Sequence, residues 1–240
     1  MKTKYIYSLL AALLVFAVSD AGAQIGKYRH DVDSLLFEGR KCGLNIITKV
    51  TRVSAREANQ GEVNPLPITF NISELPGSTC FNIEAVYVYW SLAHRMASST
   101  DYFSEDKNFV PVCSFTRPDG RRADVRAVTL GYGEGTNYGN AYSVGFRADV
   151  TNEVYDNGNY TINVNNTSNT TIDQKNWETN GVAMIIIYSD LHAGYEGHLK
   201  IYDGFYTMTA KEENWKRLDF SQNVCEQSKN GKGFALISEL

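Results

Sequence analysis

The sequence predicts an all-β protein: an antiparallel β-sandwich of jelly-roll or Ig-like type, with about nine strands in one domain. Three observations carry the prediction. Several short segments alternate apolar and polar residues with period two. Turn sequences rich in Gly, Asn, Asp and Pro separate them. Helical periodicity is scarce.

The N-terminus stands apart from the fold. Lys2 and Lys4 precede an almost unbroken apolar run over residues 6–18, and Ala21-Gly22-Ala23 supplies the small residues of a signal-peptidase site. Residues 1–23 are therefore expected to be a signal peptide, cleaved after Ala23, with residues 24–240 as the exported domain. The run is shorter than the roughly 20 residues of a membrane span, and no later segment is longer, so no membrane insertion is expected once the signal is removed.

The first predicted strand covers residues 44–53. Ile68, Phe70 and Ile72 then alternate with Thr69, Asn71 and Ser73, as a strand buried on one face requires. Residues 85–90 (Ala-Val-Tyr-Val-Tyr-Trp) are apolar in both phases. Strands over 109–115 and 122–129 flank the turn Pro118-Asp119-Gly120. Residues 130–140 read as a Gly/Tyr/Asn loop. Tyr142, Val144, Phe146 and Ala148 alternate cleanly, and residues 149–154 can make one helical turn, as can residues 98–106. Asp156-Asn157-Gly158-Asn159 is a tight turn ahead of the alternating Tyr160, Ile162 and Val164. Residues 182–188 are apolar in both phases and β-branched, which predicts a central strand covered on both sides. A last strand is expected over residues 199–202.

Net charge is −4, and loss of Lys2, Lys4 and Asp20 with the signal makes it one unit more negative. Without a basic stripe, nucleic acid is not an expected partner. The cysteines are Cys42, Cys80, Cys113 and Cys225. An even number in an exported chain points to two disulfides, with three pairings open.

Three segments, in order, resemble secreted bacterial and archaeal surface proteins, including modules of large proteins in gliding or adhesive bacteria of the Bacteroidetes type. They are Ala85-Val86-Tyr87-Val88-Tyr89-Trp90; Asp149-Val150-Thr151 with Gly158-Asn159-Tyr160-Thr161-Ile162; and residues 181–188 followed by Ile201-Tyr202-Asp203-Gly204-Phe205. The resemblance covers about residues 75–208. It implies an extracellular β-sandwich and no particular activity. The residues themselves suggest structural roles: Asp149 and Thr151 bonding nearby amides to stop a strand, Asp203-Gly204 turning at a strand end, and Trp90 filling the core.

Catalytic patterns are weak. Ala141-Tyr142-Ser143-Val144-Gly145 lacks the first Gly of a nucleophile elbow and lies in an alternating strand. His192, Glu196 and His198 lack zincin spacing and read as a hairpin loop, while His30 and His94 have no companions. Gly131, Gly133, Gly135 and Gly139 miss the dinucleotide spacing. No metal or cofactor is predicted. Aromatic residues are the stronger lead. Tyr132, Tyr138 and Tyr142 around the glycine loop, with Trp177, make a candidate ligand-binding surface, because such rings join a large apolar face to a polar tip. Asn71, Asn159, Asn165, Asn166 and Asn169 begin Asn-x-Ser/Thr triplets, read here as strand and turn residues.

Together these features predict a secreted or cell-surface interaction module, not an enzyme, that meets a protein partner or itself in adhesion or surface assembly. Two alternatives accompany it: a carbohydrate-binding module using the Tyr/Gly-rich loop, and a hydrolase whose site is not readable from sequence.

Overall fold

In the computed structural model, the described residues are 34–51, 67–77, 80–94, 111–134, 142–164 and 177–205. They form eleven strands: β1 (Ser34–Cys42), β2 (Asn45–Thr51), β3 (Ile68–Ile72), β4 (Phe81–His94), β5 (Val112–Thr116), β6 (Arg122–Arg126), β7 (Val128–Glu134), β8 (Tyr142–Asp149), β9 (Gly158–Asn163), β10 (Trp177–Asp190) and β11 (Glu196–Asp203). A single 3-10 turn, Thr151–Glu153, lies where one helical turn was expected.

All pairings are antiparallel. One sheet has the order β2-β10-β4-β8-β7 and a second the order β3-β9-β5-β6. Leaving out β7, this is jelly-roll order, and it comes from rolling one long ribbon. β4 pairs with β8, β3 with β9, β2 with β10 and β1 with β11. The earlier half of the chain thus lies largely against the later half, and among the described residues only the β5–β6 and β7–β8 ladders join consecutive strands.

The core follows the alternation. Ile68, Phe70 and Ile72 of β3, Phe115 of β5, Tyr160 and Ile162 of β9, and Val144, Phe146 and Ala148 of β8 fill the space between the sheets. Trp90 is buried there, its ring centroid 5.4 Å from that of Phe146. Val86 and Val88 of β4 and Val182, Met184 and Ile186 of β10 join them.

The opposite phase of β4 and β10 has its own cover. Ala85, Tyr87, Ile185 and Ile187 pack with Leu44 and Ile201 in a second cluster, flanked by Leu36, Phe37 and Leu199. That cover is the β1–β11 pair, which continues the β2–β10 ladder and folds back over the outer face of the sheet. The fold explains why residues 182–188 are apolar on both sides.

The bend is asymmetric. The inner strand turns through Gly43 and Leu44 alone, and the outer one takes residues 191–195. Gly43 has φ 61. It donates its N–H to Tyr195 O (2.8 Å) and accepts from Asp190 N (3.3 Å). A Cβ here would lie 2.2 Å from the Asp190 carbonyl oxygen, so only glycine fits.

One strand, β1, was not expected, and the readings of residues 122–129 and 130–140 are corrected. β1 carries a weak, mostly exposed pattern, because only Leu36 and Phe37 face the second cluster. Residues 122–129 do not form one strand: the chain passes from the four-stranded sheet to the five-stranded one at Ala127, whose N–H bonds Pro111 O (2.9 Å). Residues 128–134 then form β7, with a bulge between Thr129 and Gly131, so residues 130–134 are strand and not loop. Residues 1–33 and 98–106 lie outside the described residues.

Candidate functional site

The ladders put the last residues of β2, β4, β7 and β9 and the first residues of β3, β5, β8 and β10 at the corresponding ends of their sheets. At this end of the five-stranded sheet the ladders align residues that are far apart in sequence. Trp177 of β10 pairs with His94 of β4, His94 with Tyr142 of β8, and Tyr142 with Glu134 of β7. The four occupy one transverse row, on neighbouring strands about 4.8 Å apart. Two rows inward, Thr179, Leu92, Val144 and Tyr132 align in the same way.

Of the candidate ligand-binding residues, Tyr132, Tyr142 and Trp177 are therefore gathered at one sheet end, and Tyr138 lies outside the described residues. His94 and Glu134 were missed. His94 has no neighbour of its kind along the chain; its companions arrive through β-pairing across 48 and 83 positions, to Tyr142 and Trp177. No local signal marks it.

The outer face of the five-stranded sheet holds a polar cluster under the end of the ribbon. Arg147 of β8 forms an ion pair with Asp203 of β11, their side chains only 19% and 10% exposed. Tyr89 donates its hydroxyl to the same carboxylate at 3.4 Å, and the Arg147 guanidinium lies 5.6 Å from the Tyr87 ring centroid. Burial, then the Asp203 charge, push the Tyr89 hydroxyl far above the usual phenol range. Burial, then Asp149, raise that of Tyr87. One step further, the Phe205 ring lies on Gly145: a Cβ there would sit 2.2 Å from it. The Ile201-Tyr202-Asp203-Gly204-Phe205 segment thus pins the ribbon, with Ile201 in the second cluster, Asp203 on Arg147 and Phe205 on Gly145.

The other polar groups are also struts between elements. Lys41 of β1 pairs with Glu84 of β4, which accepts from Ser189 Oγ at 2.6 Å. Burial pushes the Glu84 carboxyl up, but the bonds from Lys41 and Ser189 outweigh it and leave it below the usual range. Arg117 bonds Glu153 through Nε at 2.7 Å. The Asp149 carboxylate accepts from Thr151 N (3.0 Å), and Thr151 Oγ1 accepts from Val86 N (2.9 Å), so these residues stop β8 as expected and take up the β4 amide just beyond the last β4–β8 pair. The Asn157 amide bonds both N and O of Leu75 at 3.0 Å, replacing a strand partner beyond β3.

His192, Glu196 and His198 do not converge. The His192 amide bonds Asp190, Glu196 pairs with Arg40 at 2.8 Å, and His198 meets Glu38 at 3.2 Å. Among the described residues no three His, Cys, Asp or Glu side chains are grouped to hold a metal ion. Cys42, Cys80 and Cys113 are thiols, the first exposed and the last buried; Cys225 lies outside the described residues.

No family model, curated protein or solved structure matches the chain.

Proposed function

We propose that the chain is an exported interaction module of the cell surface, not an enzyme, and that it meets its partner through the end of the sandwich bearing the row Trp177–His94–Tyr142–Glu134. That row carries the reading: the ladders align a tryptophan, a histidine, a tyrosine and a glutamate on four neighbouring strands at one end of the sheet. Rigid strands supporting variable connections are a common arrangement for recognition, and aromatic residues are favoured in binding surfaces. The leader-like N-terminus and the three surface-protein motifs support an exported location. Arg147, Asp203, Lys41, Glu84, Arg117 and Glu153 serve in ion pairs between elements, which supports a scaffold role for this chemistry.

The same row favours carbohydrate as a second reading, since sugar rings stack on aromatic faces while their hydroxyls take bonds from His and Glu. One set of variants tests both. Trp177→Ala, Tyr142→Ala and Tyr132→Ala are compared with Thr69→Ala, on the outer face of the four-stranded sheet, in light scattering for self-association, a cell-adhesion assay and a glycan array. Loss of adhesion or self-association in the first three alone supports protein contact. Loss of a glycan signal supports the second reading. Variants at the row that behave like Thr69→Ala in every assay overturn the placement of the site.

A further inference from the structure

The bend of the ribbon brings two cysteines to one turn. Cys42 ends β1, and its Sγ lies 3.2 Å from Ala193 O and 3.9 Å from Leu191 O. Cys80 directly precedes β4, and its carbonyl accepts the Leu191 N–H at 3.0 Å. The two thus approach Leu191 together although 38 positions separate them in the chain. Leu191 is 59% exposed, Cys42 is exposed and Cys80 half-buried, so a soluble oxidant can reach the turn. Cys80 directly precedes the Phe81–Asp190 pair of the β4–β10 ladder, so its bond to Leu191 holds it beside the turn that Cys42 touches.

Cys113 is in the opposite situation. It is fully buried between the sheets on β5, and burial pushes its thiol up to about 12, which keeps it protonated and away from solvent. That location disfavours the two frameworks that would need Cys113 to meet Cys42 or Cys80, and leaves the one that joins Cys42 to Cys80.

We infer that Cys42 and Cys80 form a disulfide that fastens the folded-over ribbon to β4. Two S–H bonds break and one S–S bond forms. The two electrons and two protons pass to a disulfide oxidant, which leaves as two thiols. The cross-link closes the segment between the two cysteines, holds Gly43 in its bend, and fixes the turn that displays Leu191 and Tyr195.

The test uses the full chain, purified reduced and equilibrated in a buffer of glutathione and glutathione disulfide. The protein is then alkylated, digested without reductant and mapped by mass spectrometry. The four cysteines fall in four different tryptic peptides. The expected product is the Cys42 peptide joined to the Cys80 peptide, with Cys113 alkylated only after denaturation. It should persist in Cys225→Ser, and adding reductant should lower the melting midpoint by about 5–10 °C. Either cysteine joined to Cys225, or both alkylated as free thiols, overturns the inference, as does a Cys42–Cys113 or Cys80–Cys113 peptide.

Discussion

Asp203→Ala tests the claim that the ribbon is held down by a buried polar clamp. The substitution removes the carboxylate that takes the Arg147 guanidinium and the Tyr89 hydroxyl, and leaves both under the end of β11. Breaking a fully buried pair by removing one partner costs about 3–5 kcal/mol. Here the two side chains keep 19% and 10% of their exposure, so water screens part of the charge left behind. We expect about 2–4 kcal/mol, which for a chain of this size is a fall of roughly 5–12 °C in melting midpoint. The assay is urea unfolding followed by far-UV circular dichroism, with Arg147→Met and Arg147→Met/Asp203→Ala completing a double-mutant cycle. The double variant should lose less than Asp203→Ala alone, because it leaves no charge unpaired. A loss below about 0.5 kcal/mol for the single variant, or strict additivity across the cycle, would refute the clamp.

Other outcomes follow from the same geometry. Gly43→Ala should cost clearly more than Gly120→Ala. Both positions have positive φ, a strain of about 1–2 kcal/mol for alanine, but a Cβ at Gly120 meets nothing within 4 Å while one at Gly43 strikes Asp190 O. Ile187→Ala, emptying a fully buried site of the second cluster, should cost about 2–5 kcal/mol in equilibrium unfolding. The Glu84 carboxyl is held below its ordinary value of 4.5 in the fold, so its contribution is complete above that value and is lost as pH falls through the folded one. The gap in urea midpoint between the native chain and Glu84→Gln should therefore be widest near neutral pH and close in acid; a constant gap contradicts the Lys41–Glu84 strut.

Most strands were legible because a sheet buried on one face imposes strict alternation, and β3, β8 and β9 carry it without exception. The double apolar phase of residues 182–188 likewise announced a strand covered on both sides. Its cover was hidden. β1 presents only Leu36 and Phe37 to the second cluster; most of the rest is exposed, with Arg40 and Glu38 paired across to Glu196 and Lys200 of β11 and Lys41 to Glu84 of β4. The change of sheet at Ala127 was equally silent, since a chain crossing between layers keeps its extended backbone and its alternation. At the candidate site, Tyr132, Tyr142 and Trp177 stood out by residue type, while His94 and Glu134 carry no mark at all.

The sequence by itself determined the all-β class, most strand positions, and the turn and stop residues at Asp149, Thr151, Asn157 and Gly158. These are local matters, set by side-chain periodicity and by backbone preferences a few residues long. Tertiary structure alone decided which strands became neighbours. It rolled the ribbon into two sheets, laid β1 and β11 over the outer face, set His94 between Trp177 and Tyr142, and brought Cys42 and Cys80 to one turn. Those pairings join residues tens to more than a hundred positions apart. The hydrogen bonds of a ladder come from the backbone and are the same for any partner strand, so register depends on how all the apolar faces can be buried at once.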